Sequence, residues 1–198
     1  MTEDSGFARL VSLACHDLRT PLATVNGFAR TLTRFDQLED PIPRYLQMMA
    51  TAADQMGALL DDLGLVARIE SGRWEGAWRE ADTLQVARDA AALVHEAPVH
   101  VSGVGEAARL ETDATQRALA SFARCAARHG AQDEIRIDVS GHEWRLTTVT
   151  ADAAPIVLGE DLRDFGAAVA SRVVSALGGS VAVDGETLVV RLPVARDS

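Results

Sequence analysis

The stretch His16-Asp17-Leu18-Arg19-Thr20-Pro21-Leu22 decides the fold of the first third of the chain. It lies inside a heptad stripe, in which apolar or small residues recur in alternating steps of four and three at Phe7, Val11, Ala14, Leu18, Pro21, Val25, Phe28, Leu32 and Phe35. Such a stripe predicts a long amphipathic helix that packs on another helix. At 100° per residue, His16 is turned about 200° from its stripe neighbours, so we expect it to face solvent.

A second stripe follows and predicts an antiparallel partner helix. Its apolar or small residues stand three or four positions apart, at Ile42, Tyr45, Met49, Ala52, Met56, Leu59, Leu63 and Val66. The polar run Asp36–Asp40, followed by Pro41 and Pro43, forms the link, since proline is tolerated where a helix begins. One hairpin buries only one stripe per helix, so we expect a homodimeric four-helix bundle. The alternative is a hairpin that packs only on its own chain.

The chemistry of this stretch suits phosphoryl transfer. An exposed imidazole beside a carboxylate can be held in the tautomer that leaves one nitrogen free to attack phosphorus. In this interpretation Asp17 is the general base or orienting group for His16, and Thr20, one turn later, positions a water for hydrolysis. The alternative is an ordinary pair of surface residues on a helix.

The composition bounds the class of protein. The 198 residues are 47% hydrophobic and 24% charged, which suffices for one domain or two small ones with a buried core. A formal net charge of −10 disfavours nucleic acid as a partner. No apolar run approaches the ~20 residues that span a bilayer, and no secretory signal is visible, so no membrane association is expected. Cys15 and Cys125 lie far apart, which favours a reduced, cytoplasmic setting.

The histidine spacing predicts no metal site. The four histidines beyond His16 are scattered and show no two-ligand spacing on one helix; they are His95, His100, His129 and His142. We therefore expect no metal site in this chain.

The remaining chain alternates between helical and strand patterns. Residues 73–82 are predicted to be a linker, and residues 83–198 a second domain. We expect helices over Thr83–Glu96, Thr115–Arg128 and Phe165–Leu177, and strands over Val99–Val101, Ile135–Val139, Glu143–Val149, Val181–Val183 and Thr187–Leu192. Turns at Gly141 and Gly185 join the last four strands into two hairpins. The order predicts an α+β fold, a helical hairpin followed by a two-layer α/β sandwich.

The segment Leu13–Ala23 resembles the H-box of two-component sensor histidine kinases almost residue for residue, and Ala67–Gly72 is similar to the end of the second helix of the same domain. The resemblance implies that residues 1–72 form a dimerisation and phosphoacceptor domain, in which His16 accepts the phosphoryl group. It also implies that response-regulator receiver domains dock on the helices below His16. The element order of residues 83–198 is similar to that of the family's ATP-binding domain.

The chain departs from the family's ATP-binding domain at the positions that would bind ATP and Mg²⁺. The family's two N-box asparagines correspond to Ser121 and Cys125, and a thiol is a poor ligand for Mg²⁺. Asp152 stands in the first glycine box without its glycines, and the lid segment is nearly absent. In the second box Asp164 replaces a glycine ahead of Gly166, and its charge would repel a triphosphate. We expect no cofactor; ATP and Mg²⁺ belong only to the kinase alternative.

Three functions compete. A histidine phosphotransfer protein would carry phosphoryl on His16 between receiver-domain aspartates without ATP, and the sequence favours this function. A divergent but active sensor histidine kinase would phosphorylate His16 from ATP and Mg²⁺. A pseudokinase without enzymatic activity would bind and regulate a partner kinase or response regulator.

Overall fold

The computed structural model describes residues 3–34, 41–130, 133–147 and 149–193. The chain divides into two compact units, Met1–Trp74 and Glu75–Ser198. The link predicted over Asp36–Asp40 lies outside the described residues. Within the described ranges, no helix pairs sufficient length with the apolar composition that a bilayer crossing demands.

The first unit is a pair of long helices, α1 (Glu3–Leu32) and α2 (Ile42–Glu70). α1 runs without interruption through Pro21. α2 begins directly after Pro41, where a missing backbone N–H removes no helical hydrogen bond. It ends before Gly72, whose φ of +66° is a left-handed conformation that glycine adopts without strain.

Polar bonds between the helices fix an antiparallel register. Arg19 of α1 pairs with Asp61 of α2, and Arg30, further along α1, pairs with Asp54, which comes earlier in α2. Asn26 Nδ2 also donates to Asp54 Oδ1 at 2.7 Å. Because the partners run in opposite directions along the two helices, the predicted hairpin is confirmed.

Mostly small side chains form the seam between α1 and α2. The buried positions of the hairpin include Cys15, Ala29, Leu46, Ala50, Ala53, Gly64, Leu65 and Ala67. Phe7, Ala14 and Phe35 of the predicted stripes lie outside the described side chains, and most of the other stripe residues lie outside this seam. Their exposed members, called the outer stripe below, are Leu18, Val25, Phe28, Leu32, Ile42, Tyr45, Met49, Met56 and Leu59. Each helix therefore has two apolar faces, and packing within one chain covers only one of them.

The described residues of the second unit form two sheets and four helices. Its elements are β1 (Trp78–Asp82), α3 (Thr83–Ala92), β2 (Val99–Val104), β3 (Ala107–Glu111), α4 (Thr112–His129), β4 (Ile135–Ser140), β5 (Glu143–Thr147), α5 (Ala154–Val157), α6 (Phe165–Ala176), β6 (Ser180–Asp184) and β7 (Thr187–Arg191). The larger sheet has the order β2-β4-β5-β7-β6, with β2 parallel to β4 and the other neighbours antiparallel. β1 and β3 form a separate antiparallel pair.

The sheet buries one face beneath the helices. β4 buries Ile135, Ile137 and Val139 and exposes the residues between them, which is the period-two pattern that the sequence predicts. The fully buried Trp144 of β5 donates from Nε1 to the carbonyl oxygen of Thr83 at 3.1 Å, so its polar atom is satisfied inside the core.

An acidic side chain caps each of the three longer helices of this unit. Asp82 directly precedes α3, Glu111 precedes α4 and Asp164 precedes α6. Each side chain accepts a backbone N–H three residues on, from Gln85, Ala114 and Ala167. A carboxylate at this position satisfies a free N–H and opposes the positive end of the helix dipole.

Three elements are absent from the sequence prediction. The second half of the predicted 73–82 linker is β1, which gains its ladder only by pairing with β3. β3 itself buries Ala108 and Leu110, an alternation too short to stand out in the sequence. The short α5 was also missed. α3 ends at Ala92, earlier than the predicted Glu96, and α4 begins three residues before the predicted Thr115.

Candidate functional site

His16 lies in the middle of α1 with its side chain exposed, as the sequence predicts. It borders an open groove that is also lined by Arg19, Thr20, Ala23 and Thr24. The lining therefore combines an imidazole, a guanidinium and two hydroxyls on successive turns of one helix. The guanidinium, the imidazole and the two hydroxyls can donate hydrogen bonds to a tetrahedral anion, while Ala23 contributes apolar surface.

The groove has an internal framework of polar bonds. Arg19 Nη2 lies 2.5 Å from Asp61 Oδ1, so α2 holds the guanidinium beside the groove. Thr24 Oγ1 donates to the carbonyl oxygen of Thr20 at 3.1 Å, a local bond common for threonine in helices. Both members of the ion pair are half exposed, so the pair is screened by solvent and orients more than it stabilises.

The structure brings two of the three predicted residues, His16 and Thr20, to the groove. Asp17 follows His16 on α1, but its side chain lies outside the described residues. Sequence reasoning missed Arg19 as a groove residue. Its position three residues after His16 was the available signal, since side chains that far apart on a helix are neighbours.

A second cluster of predicted residues lies where α4 meets the start of α6. Ser121 and Cys125 are buried one turn apart on α4. A Cβ added to Gly166 would lie 3.6 Å from the Cβ of Ser121, so α6 begins in van der Waals distance of these residues. The tertiary structure therefore brings four of the degenerate positions together. Asp152 is exposed in the turn before α5.

Asp164 is the centre of this second cluster. Its side chain is only 3% exposed, and its Oδ2 lies 2.8 Å from Nη2 of Arg128 and 3.3 Å from Nε2 of His129. Its Oδ1 accepts the backbone N–H of Ala167 at 3.0 Å. Arg124 adds a further bond nearby, from Nη2 to Ser121 Oγ at 3.1 Å. The carboxylate is thus paired with the Arg128 guanidinium, with the His129 imidazole beside it.

The Cys125 thiol is held in its neutral form. Burial raises its pKa to about 12, and the neighbouring Asp164 charge acts in the same direction, against a smaller lowering by Arg128. Desolvation disfavours a thiolate in this position, and the adjacent carboxylate repels it. Without a cation, this sulfur is neither a nucleophile nor a charged ligand at neutral pH.

The residues of this cluster do not fit a magnesium triphosphate. Mg²⁺ requires oxygen ligands in octahedral geometry, whereas position 125 offers a buried neutral thiol. The N-terminus of α6 is capped by the carboxylate of Asp164, which takes the backbone N–H of Ala167 that a phosphate oxygen would otherwise accept. The segment between α5 and α6 is short. Its first residue, Leu158, is held against α6 because Ser171 Oγ donates to the Leu158 carbonyl oxygen at 2.8 Å.

Residues 8–72 match the model of the His Kinase A (phospho-acceptor) domain, which covers the hairpin and its exposed histidine. These residues therefore form a phospho-acceptor domain of the His Kinase A type, and the chain as a whole is similar to two-component histidine kinases. The resemblance to this family and the α+β fold, both predicted from the sequence, are confirmed. The family match rests on the hairpin, whereas the sandwich is supported by whole-chain likeness.

The chain is similar in sequence to two curated proteins. It is 25% identical over 173 residues to the histidine protein kinase DivJ of Caulobacter vibrioides, covering 82% of this chain and 29% of DivJ. It is 41% identical over 69 residues to the phosphate regulon sensor protein PhoR of Pseudomonas aeruginosa, covering 33% of this chain and 15% of PhoR. The chain spans less than a third of the length of either relative.

Two solved structures share the fold. Full-length ShkA, crystallised with AMPPNP, superposes with a TM-score of 0.66 at 20% identity, covering 94% of this chain and 47% of ShkA. The Acinetobacter baumannii histidine kinase AdeS superposes with a TM-score of 0.55 at 15% identity, covering 91% of this chain and 98% of the solved AdeS chain. At these identities the likeness concerns the fold alone.

Proposed function

We propose that this protein is a histidine phosphotransfer protein, which carries a phosphoryl group on His16 between the aspartates of receiver domains. The observation that carries the proposal is the state of the second cluster. Asp164 is buried and paired with Arg128 and His129 where the family's nucleotide would need ligands and free N–H groups. His16 remains exposed in an open groove, so a donor other than ATP can reach it.

The transfer proceeds by nucleophilic attack on phosphorus. A ring nitrogen of His16 gives its lone pair to the phosphorus of an aspartyl phosphate on the donor receiver. The N–P bond forms as the P–O bond to the aspartate breaks, and the aspartate leaves as a carboxylate. The second ring nitrogen keeps its proton throughout, and we propose that this N–H donates a hydrogen bond to the Asp17 carboxylate, which orients the ring. The same step in reverse passes the group to a second receiver.

Two groove residues support this step. Arg19, held by Asp61, supplies positive charge beside His16, where the transferring phosphoryl group spreads negative charge over its oxygens. Thr20 is the proposed residue for positioning a water, which would hydrolyse the phosphohistidine instead of passing the group on.

The family also implies receiver-domain partners and dimerisation through the hairpin, and the outer stripe suits the second of these. Its exposed apolar residues run along both helices, and Phe28 alone is 67% exposed in the single chain. A row of this kind is expected to be covered by a second hairpin, in which the same stripe meets itself around a two-fold axis.

A divergent ATP-dependent kinase is the second candidate. It is favoured by the shared fold with ShkA, whose structure was determined with AMPPNP. The two candidates differ in the phosphoryl donor, which makes them separable by one comparison.

The test supplies both donors in parallel to the full chain. One reaction contains radiolabelled ATP with Mg²⁺, and the other contains receiver domains from the same organism, each charged with radiolabelled acetyl phosphate and freed of the reagent. We expect acid-labile, alkali-stable label on the protein from a receiver and none from ATP. His16→Gln should abolish labelling and leave the circular dichroism spectrum unchanged, because the side chain is exposed.

His95→Gln is the matched control, since it removes an exposed histidine from the second unit. It should be labelled as the native chain is. Label from ATP alone would overturn the phosphotransfer proposal in favour of the kinase. Failure of both donors, across the organism's receivers, would favour the pseudokinase.

A further inference from the structure

Three side chains with metal-ligating atoms meet between α4 and α6. A ligand atom from each of Cys125, His129 and Asp164 lies within 4.8 Å of the others. Cys125 is fully buried and the Asp164 side chain nearly so, whereas the His129 side chain is 28% exposed. The cluster is therefore enclosed at the sulfur and the carboxylate and open to solvent at the imidazole.

The fold holds each of the three donors in place. Cys125 and His129 are four residues apart on α4, a spacing that puts both side chains on one face, one turn apart. Asp164 is fixed by its cap bond, because Oδ1 accepts the N–H of Ala167 at 3.0 Å while Oδ2 lies 3.3 Å from His129 Nε2. A ligating carboxylate whose other oxygen is hydrogen-bonded in this way is typical of metal sites.

The donor set decides which metal the cluster suits. Sulfur, imidazole nitrogen and carboxylate oxygen together are ligands of Zn²⁺ and Co²⁺, whereas Mg²⁺ and Ca²⁺ take oxygen. Tetrahedral bonds of about 2.0 to 2.3 Å separate neighbouring donors by about 3.3 to 3.6 Å. The nitrogen–oxygen separation of 3.3 Å between His129 and Asp164 already meets that requirement.

We propose that Cys125, His129 and Asp164 form a binding site for a divalent transition metal ion of the zinc class. Three protein ligands leave a fourth position, which a water fills from the open side at His129. The site uses α4 and α6 alone and needs neither His16 nor a receiver domain, so it goes beyond the proposed phosphotransfer. Its expected effect is to stabilise the second unit by joining these two helices.

Arg128 is the group that metal binding must displace. Its Nη2 now lies 2.8 Å from Asp164 Oδ2, but its side chain is 51% exposed and can turn into solvent. The Cys125 S–H bond breaks as the sulfur–metal bond forms, and the proton passes to solvent. The metal thus takes over the charge compensation of Asp164 that Arg128 provides in its absence.

The sequence prediction of no metal site considered the histidines and the cysteines separately and did not combine the two residue types. The four-residue spacing of Cys125 and His129 within one helix was a possible signal, but a cysteine and a histidine at this spacing often occur together by chance. The third ligand, Asp164, comes from a separate helix, and only the folded chain places it beside the other two.

The test is a Co²⁺ titration of the full chain after removal of metals with EDTA. Thiolate coordination gives a sulfur-to-cobalt charge-transfer band in the near ultraviolet, and tetrahedral geometry gives strong visible bands. We expect both to saturate at one equivalent and to vanish when Zn²⁺ is added. Zn²⁺ should also raise the Tm of the second unit.

The variants Cys125→Ala, His129→Gln and Asp164→Asn should each lose the charge-transfer band or weaken Co²⁺ binding at least tenfold. Asparagine can still cap α6, and His129 is partly exposed, so at least these two variants should fold. The controls Cys15→Ala and His95→Gln change the same residue types elsewhere and should bind as the native chain does.

No charge-transfer band in the folded native chain would overturn the proposal. A band that survives in Cys125→Ala but disappears in Cys15→Ala would overturn it as well. Because the readout is spectroscopic and independent of His16, failure of this site leaves the phosphotransfer proposal untouched.

Discussion

At the scale of single residues, Asp164 combines two roles that usually belong to different side chains. One carboxylate oxygen caps α6, and the other pairs with Arg128 and lies beside His129 of α4. A buried carboxylate is costly unless its charge is compensated and its oxygens accept hydrogen bonds, and both conditions hold here. The cap bond also occupies the backbone N–H of Ala167 at the start of α6. Asp164 therefore affects both the stability of the second unit and the capacity of this helix end to bind a nucleotide phosphate.

Two substitutions of Asp164 separate its roles. In metal-free buffer, Asp164→Asn should lower the free energy of unfolding of the second unit by about 1 to 2 kcal/mol, because it removes the ion pairs but keeps a capping oxygen. Asp164→Ala should cost about 1 kcal/mol more, because the cap is lost as well. Urea unfolding followed by circular dichroism measures the difference.

The exposed Asp152 provides the charge-matched control, and Asp152→Asn should change the unfolding free energy by less than about 0.5 kcal/mol. Equal stability of the Asn and Ala variants at position 164 would show that the cap contributes nothing.

At the scale of elements, β5 and β7 are joined by charge as well as by their ladder. Glu143 and Arg191 are register partners, and Arg191 Nε donates to Glu143 Oε2, while Arg145 Nη1 donates to Oε1 at 2.7 Å. The hydrogen bond from Arg191, followed by that from Arg145, lowers the pKa of Glu143 below its ordinary value. Cross-strand charge pairs of this kind stabilise a sheet only modestly, because solvent screens their attraction.

The lowered pKa of Glu143 predicts the pH dependence of a variant. The unfolded chain takes up a proton at Glu143 at higher pH than the folded chain does, so this stabilisation exists above the ordinary carboxyl pKa and is lost as pH falls through the lowered one. Glu143→Gln should therefore lower the unfolding free energy at pH 7 by about 0.5 to 1 kcal/mol.

Urea denaturation of the native chain and the variant at several pH values measures this, and their difference should shrink as the solution becomes acidic. Glu186→Gln, an exposed change in the β6–β7 turn, controls for the loss of one negative charge. A difference that stays constant down to the pH of acid unfolding would contradict the assignment.

At the scale of the whole molecule, the hairpin is apolar on two sides. Residues such as Ala29, Ala50 and Ala53 fill the seam within the chain, and the outer stripe is left exposed. Small residues let α1 and α2 approach closely, while larger ones such as Phe28 and Tyr45 face outward, where a partner helix could accept them. The division of sizes between the two faces argues for a second hairpin on the outer stripe.

A charge placed on the outer stripe should separate the subunits. Phe28→Glu would bury a carboxylate in an apolar contact, and two-fold symmetry introduces the change twice. We expect the native chain to sediment as a dimer and Phe28→Glu to raise the dimer dissociation constant at least tenfold in analytical ultracentrifugation. Val104→Glu, at an exposed apolar residue of the second unit, is the control and should stay dimeric.

Elements that depend on neighbouring residues could be predicted from the sequence, whereas elements that depend on contacts between distant residues could not. The helices and hairpin turns followed from local periodicity and from glycines such as Gly141 and Gly185, both with positive φ. The pairing of β1 with β3 did not follow from local periodicity, because neither strand has a strong alternation of apolar and polar residues. Each strand forms its ladder of hydrogen bonds with the other. The exposure of His16 was predictable for the same local reason as the helix, since it follows from the angle between residues.

The sequence by itself determined a helical hairpin with an exposed histidine, followed by a sandwich of helices and strands, because periodic burial is written into neighbouring residues. Only the tertiary structure decided which apolar face of the hairpin is covered within the chain, since both faces have helical spacing. It alone also placed Asp164 against Cys125, Arg128 and His129. Contacts between distant parts of a chain depend on how elements pack, and no local pattern specifies them.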